Sequence, residues 1–79
     1  MKLKKNVALS DSGFLFNAAT GDSFSLNPIG LELLKLLQEG KSDEQIVAEI
    51  INDFMIDKSS VEKDLDDFRN MLTNYKLTE

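Results

Sequence analysis

Ser23-Phe24-Ser25-Leu26-Asn27-Pro28-Ile29-Gly30 contains the change of structural type on which the rest of the chain depends. Phe24 and Leu26 alternate with Ser23 and Ser25, the period-two pattern of a strand with one apolar and one polar face. Asn27 offers a side-chain oxygen to cap a helix. Pro28 fits the first helical position, where a missing N–H is no loss and the fixed φ suits the helix. The stretch predicts a strand that hands the chain directly to a helix, with β structure before it and α structure after it.

Upstream, Lys4 to Leu9 carries Val7 and Leu9 in alternation and reads as a first strand, closed by the turn formers Ser10-Asp11-Ser12-Gly13. Gly13 to Asn17 reads as a second strand with Phe14 and Phe16 on one face. Ala18 to Asp22 is short enough for a hairpin loop, with Gly21 supplying a positive φ. Three strands with short links make an antiparallel meander. Downstream, Ile29, Leu31, Leu33, Leu34, Leu36 and Leu37 give the first helix an apolar surface wide enough for a central position, and Gly40 closes it. Ser42 and Gln45 form a capping box for a second helix whose apolar face is Ile46, Val47, Ile50, Ile51 and Phe54. For the third helix, Asp57 competes with Ser59 as the cap and is preferred; Val61, Leu65, Phe68, Leu72 and Tyr75 form its stripe to about Lys76. Phe14, Phe16, Phe24, Phe54 and Phe68 are assigned to the core. The expected class is α+β: a single domain over residues 1–79, a three-stranded antiparallel sheet followed by three helices. Two helices joined by a tight turn beside a small sheet resemble a winged helix-turn-helix, with the strands placed first.

At 79 residues, 42% hydrophobic and 29% charged, the chain has ordinary globular composition at a size where burial is limited and stability modest. Neither Cys nor His occurs, which removes disulfides, thiol nucleophiles, the usual zinc sites and imidazole acid–base chemistry. No apolar run reaches the roughly 20 residues of a membrane span, and Met1 to Asn6 leads into too short an apolar stretch for a signal peptide. The expectation is a cytoplasmic protein with no membrane partner. A net charge of −5 disfavours nucleic acid as a partner, because Lys and Arg contacts to phosphate supply most of that affinity.

The side chains give little purchase for catalysis. Asp64, Asp66 and Asp67 spread around a helix, with only Asp64 and Asp67 adjacent, and the glycine of a calcium loop is missing. They read as a solvated face. Asp11-Ser12 matches the attachment dipeptide of acyl carrier proteins, but it stands in an early turn rather than opening a helix near mid-chain. No cofactor is expected. The third helix has flanks of opposite sign: Lys58, Glu62, Arg69 and Lys76 on one, Asp64, Asp67, Met71 and Tyr75 on the other. Such flanks read equally as ordinary surface charge and as the charged side of a peptide groove beside an apolar stripe.

The hairpin Phe14 to Leu26, the junction Leu26-Asn27-Pro28-Ile29-Gly30 and the segment Gly40-Lys41-Ser42-x-x-x-Ile46 together resemble the PqqD family, small peptide chaperones and leader-recognition domains of ribosomally made, modified peptides. Ile50 to Phe54 and Val61-Glu62-Lys63-Asp64-Leu65-x-x-Phe68-x-x-x-Leu72 continue the match over nearly the whole chain. The chain departs from the pattern at Lys58, where the family often has Pro, and at Lys76, where it often has Gly. The resemblance implies a non-enzymatic module that binds a precursor leader peptide as an added strand and presents it to a modifying enzyme, such as a radical SAM or cyclising maturase. It further implies a pairing edge at Asp22, Ser23, Phe24, Ser25 and Leu26, with Val61, Asp64, Leu65, Phe68 and Met71 as the side-chain wall. Two rivals stand beside it. A winged-helix DNA-binding regulator would read through the second helix, whose region carries Asp43, Glu44, Glu49 and Asp53 without Lys or Arg. A structural subunit of an enzyme complex would bind the enzyme without any peptide.

Overall fold

A computed structural model describes residues 1–79. Its order is β1 (Val7–Leu9), β2 (Phe14–Asn17), β3 (Ser23–Ser25), α1 (Pro28–Gln38), α2 (Asp43–Phe54) and α3 (Lys58–Asn74). The sheet is antiparallel in the order β1-β2-β3, so β3 is an edge strand. This is the α+β meander followed by three helices that the strand-to-helix junction implies. β1 is shorter than expected. Lys4 instead donates its N–H to Leu77, and Leu3 bridges Thr78, so this segment pairs with the far end of the chain.

Local chemistry accounts for the helix boundaries. The Asn27 side chain accepts the Gly30 N–H at 2.7 Å with Pro28 at the first position of α1. Ser42 accepts from Gln45 N–H while Gln45 accepts from Ser42 N–H, completing the capping box of α2. Asp57 caps α3 through the Ser60 N–H and also accepts both the Ser59 and Ser60 hydroxyls at 2.7 Å. Those hydroxyl bonds, Ser59 first and then Ser60, stabilise the charged carboxylate and lower its pKa to about 2. At the far end of α3, Lys76 takes a left-handed conformation with φ 54, and Leu77 N–H returns to Leu72 C=O. That is the Schellman closure, with lysine where glycine is the usual occupant.

The core lies between the sheet and the helices. Leu15, Leu33, Leu34, Ile46, Ile50, Val61 and Leu77 are fully enclosed, and Phe24, Leu26, Ile29 and Met71 pack partly buried against them. The orientation of β2 corrects one expectation. Phe14 and Phe16 do share a face, but it is the solvent face, and they remain 46% and 40% exposed. Leu15 and Asn17 point inward in their place. Register explains the choice: Leu15 lies between Leu9 and Phe24, and Asn17 opposite Val7, so all the inward positions come together on one face. The buried Asn17 is tolerated because its Oδ1 accepts from Asn6 Nδ2 and from the Ala19 N–H.

Candidate functional site

The register of β3 decides which of its backbone groups are free. Leu26 donates to the Gly13 carbonyl and Asn17 donates to the Asp22 carbonyl. Bonding direction alternates along a strand, so Asp22, Phe24 and Leu26 form the set that turns toward β2. Ser23 and Ser25 therefore direct their N–H and C=O groups to the open edge. The Asp22 N–H is also occupied, by the Thr20 hydroxyl at 3.2 Å. Of the five edge positions expected from sequence, two offer backbone bonds outward.

Beside this edge, α1 and α3 converge on a groove of about 280 Å³ lined by Asn27, Ile29, Gly30, Leu33, Asp64, Asp67, Phe68 and Met71. Gly30 keeps room for the α1 cap: a Cβ there would lie 3.2 Å from Asn27 Oδ1, while the Phe68 ring would be in ordinary contact at 3.8 Å. The floor is apolar. Asp64 and Asp67 supply a negative rim, and Lys63 reaches Asp67 at 3.3 Å across one helical turn. Tyr75, 48% exposed at the end of α3, sets its ring edge-on to Phe24 with centroids 4.7 Å apart, joining α3 to the edge strand.

The structure thus divides the residues expected along α3. Asp64, Phe68 and Met71 line the groove together. Val61 is wholly enclosed and Leu65 is 3% exposed. Neither lines this groove, since both lie in the apolar stripe that packs into the core. Phe24 and Leu26 are half-buried behind the edge. Sequence reasoning did not assign Ile29, Asp67 or Tyr75 to the site, although Asp67 and Tyr75 fall on the same helical flank as Asp64 and Met71. A second, larger groove of about 640 Å³ lies between α2 and α3 over Val47, Ala48, Ile51 and Leu65. Its rim carries Asp43, Glu44, Glu62 and Asp66 against Lys58, and Asp43 is paired with Arg69.

No cluster of carboxylates is arranged to hold a metal, and no buried side-chain polar atom lacks a hydrogen-bond partner. No helix is long and apolar enough to cross a membrane. What the arrangement offers is a short row of unpaired backbone groups beside a small apolar groove with a negative rim. That suits an extended peptide.

Comparison with known proteins agrees with this geometry. Residues 13–77 match the family described as Coenzyme PQQ synthesis protein D (PqqD). The structure described as TbiB1 in Complex with the TbiA(beta) Leader Peptide is 36% identical, with a TM-score of 0.79 over 100% of this chain and 95% of that one. The lasso peptide synthetase B1 complexed with the leader peptide is 18% identical with a TM-score of 0.83, over 99% of this chain and 95% of that one, and shares the fold. A search of curated protein sequences gives no match.

Proposed function

This chain belongs to the PqqD family, and on that premise we propose that it is a non-catalytic module that captures the leader of a ribosomally synthesised precursor peptide by strand addition and presents it to a modifying enzyme. The observation that carries the reading is the free edge at Ser23 and Ser25 beside the α1–α3 groove, in a chain with a 36% identical relative solved with a leader peptide. The leader pairs with the backbone of those two serines. Its side chains on the inner face meet Phe68, Met71 and Tyr75, with Asp64 and Asp67 placed to attract a Lys or Arg.

Magnitudes show what each part contributes. Ser23 and Ser25 together can form up to four backbone bonds, about 2–6 kcal/mol at 0.5–1.5 each. Micromolar affinity needs about 8 kcal/mol, and ordering a flexible leader costs about 2–5 more. Backbone pairing alone falls short, so apolar anchors at about 1.5–3 kcal/mol each must supply the difference. Recognition is accordingly shared between a sequence-blind edge and a few side chains.

Nothing in the geometry favours the DNA-binding alternative: α2 presents Asp43, Glu44, Glu49 and Asp53 and no cation. The test is a calorimetric titration of the purified chain with the TbiA(beta) leader peptide, run with a duplex DNA control. Mass spectrometry of precursor incubated with the chain alone follows. Saturable leader binding with unchanged precursor mass is the expected result. Precursor turnover by the chain alone, or DNA binding with a steep salt dependence, would overturn the reading.

A further inference from the structure

We propose that the outer face of the sheet, where Phe14 and Phe16 stand beside Ser23 and Ser25, is a second recognition surface of the same peptide site, taking aromatic or long apolar side chains from alternate residues of the added strand. The inference rests on strand addition at β3 and specifies which peptides that edge selects.

A three-stranded sheet covered by helices on one face leaves the other to water, where short or polar side chains belong. Ala8, Ser23 and Ser25 obey that rule, and Phe14 and Phe16 do not: they stand 46% and 40% exposed. Both rings stand one strand in from the open edge, because Phe14 pairs with Ser25 and Phe16 with Ser23 on β3. The two residues of an added strand directly opposite Ser23 and Ser25 share their side-chain direction and so project over the same outer face. Strands lie about 4.8 Å apart, which places those peptide residues about 9.6 Å from the Phe14 and Phe16 column. The serine side chains between are too short to fill that interval. A trough floored by Ser23 and Ser25 and walled by the two phenyl rings remains, and a Tyr, Trp, Phe or Leu leaning inward from the peptide would close it. The interleaved peptide residue, opposite Phe24, projects the other way toward Tyr75 and the α1–α3 groove. One peptide strand is then read on both faces, with opposite residue parity for each.

The experiment is selection of a phage-displayed random decapeptide library on wild type, on Phe14→Thr/Phe16→Thr and on Ser25→Pro, with a thermal melt of each protein. Threonine retains strand propensity, so the double variant should stay folded. Wild type should enrich peptides with apolar residues at alternate positions for the groove and aromatic residues at the interleaved ones. The double variant should keep the first preference and lose the second, and a wild-type-selected peptide should bind it more weakly by roughly 2- to 12-fold per lost ring. Identical enrichment on both proteins, or wild-type peptides apolar at one parity only, would overturn the outer-face inference. If Ser25→Pro selects the same peptides as wild type, strand addition itself fails. Loss of selection on Ser25→Pro with no change on the double variant leaves strand addition standing and removes the outer face.

Discussion

Proline substitution at adjacent positions of β3 separates the edge from the fold. Ser25 sends its N–H to the open side and its side chain to solvent, so Ser25→Pro removes no bond of the sheet and no core volume. Phe24 pairs with Leu15 and packs on Tyr75, so Phe24→Pro removes a ladder bond and an aromatic contact. Leaving the Leu15 carbonyl without its donor costs about 1–3 kcal/mol and losing the ring contact with Tyr75 about 0.5–1.5 more, about 3 kcal/mol together. A 79-residue domain has a total of only about 4–12 kcal/mol at 0.05–0.15 per residue. Phe24→Pro should therefore lower Tm by at least about 12 °C, and Ser25→Pro by no more than about 5 °C. In a leader titration on the same samples, Ser25→Pro leaves a leader carbonyl without its donor at about 1–3 kcal/mol, a loss of roughly 5- to 150-fold in affinity. A Ser25→Pro protein that melts like wild type and binds leader unchanged would refute pairing at this edge. One that melts as low as Phe24→Pro would refute the assignment of outward groups.

The remaining predictions concern the scaffold. Gly13→Ala should destabilise the hairpin, because φ is +90° and a Cβ would lie 2.9 Å from the Leu26 carbonyl oxygen; backbone strain of about 1–3 kcal/mol would appear in urea unfolding as a lower midpoint. Lys76→Gly should stabilise by about 0.5–1 kcal/mol, since glycine takes the left-handed position without a Cβ conflict, and Tm should rise by a few degrees. Lys58→Pro should also raise Tm, because Lys58 opens α3 and Asp57 already holds the extended backbone, φ −76 and ψ 156, that precedes proline. The Asp57 pKa is lower when folded, so its stabilising contribution is complete above the ordinary value of 3.8 and disappears as pH falls toward 2. Asp57→Asn should flatten the acid dependence of Tm across that window.

Features decided within a few residues were legible in the sequence. Asn27 with Pro28, Ser42 with Gln45, and Asp57 each satisfy orphan helix N–H groups with neighbouring side chains, so the helix starts could be read directly. The departures at Lys58 and Lys76 fall on the first position of α3 and on its closing residue, where Pro and Gly are favoured but not required. Which face of β2 turns inward was not legible, because Phe14-Leu15-Phe16 is apolar at both parities. Only pairing with Leu9 and Phe24 selects Leu15. The division of α3 had the same origin: Val61, Leu65 and Phe68 all lie in the buried stripe, and only the folded chain shows that Phe68 also lines the α1–α3 groove. Tyr75 lay on the right flank, but its contact with Phe24 joins residues 51 positions apart and exists only in the folded chain.

Strand addition makes its most direct claim on two amide protons. In the free protein the Ser23 and Ser25 N–H groups face solvent, whereas those of Phe24 and Leu26 are paired with β2. Residue-resolved hydrogen exchange by NMR, with and without saturating leader peptide, reads all four. Ser23 and Ser25 should exchange rapidly alone and become strongly protected on binding, with Phe24 and Leu26 protected in both states. Saturated leader binding that leaves the Ser23 and Ser25 amides in fast exchange would contradict the account.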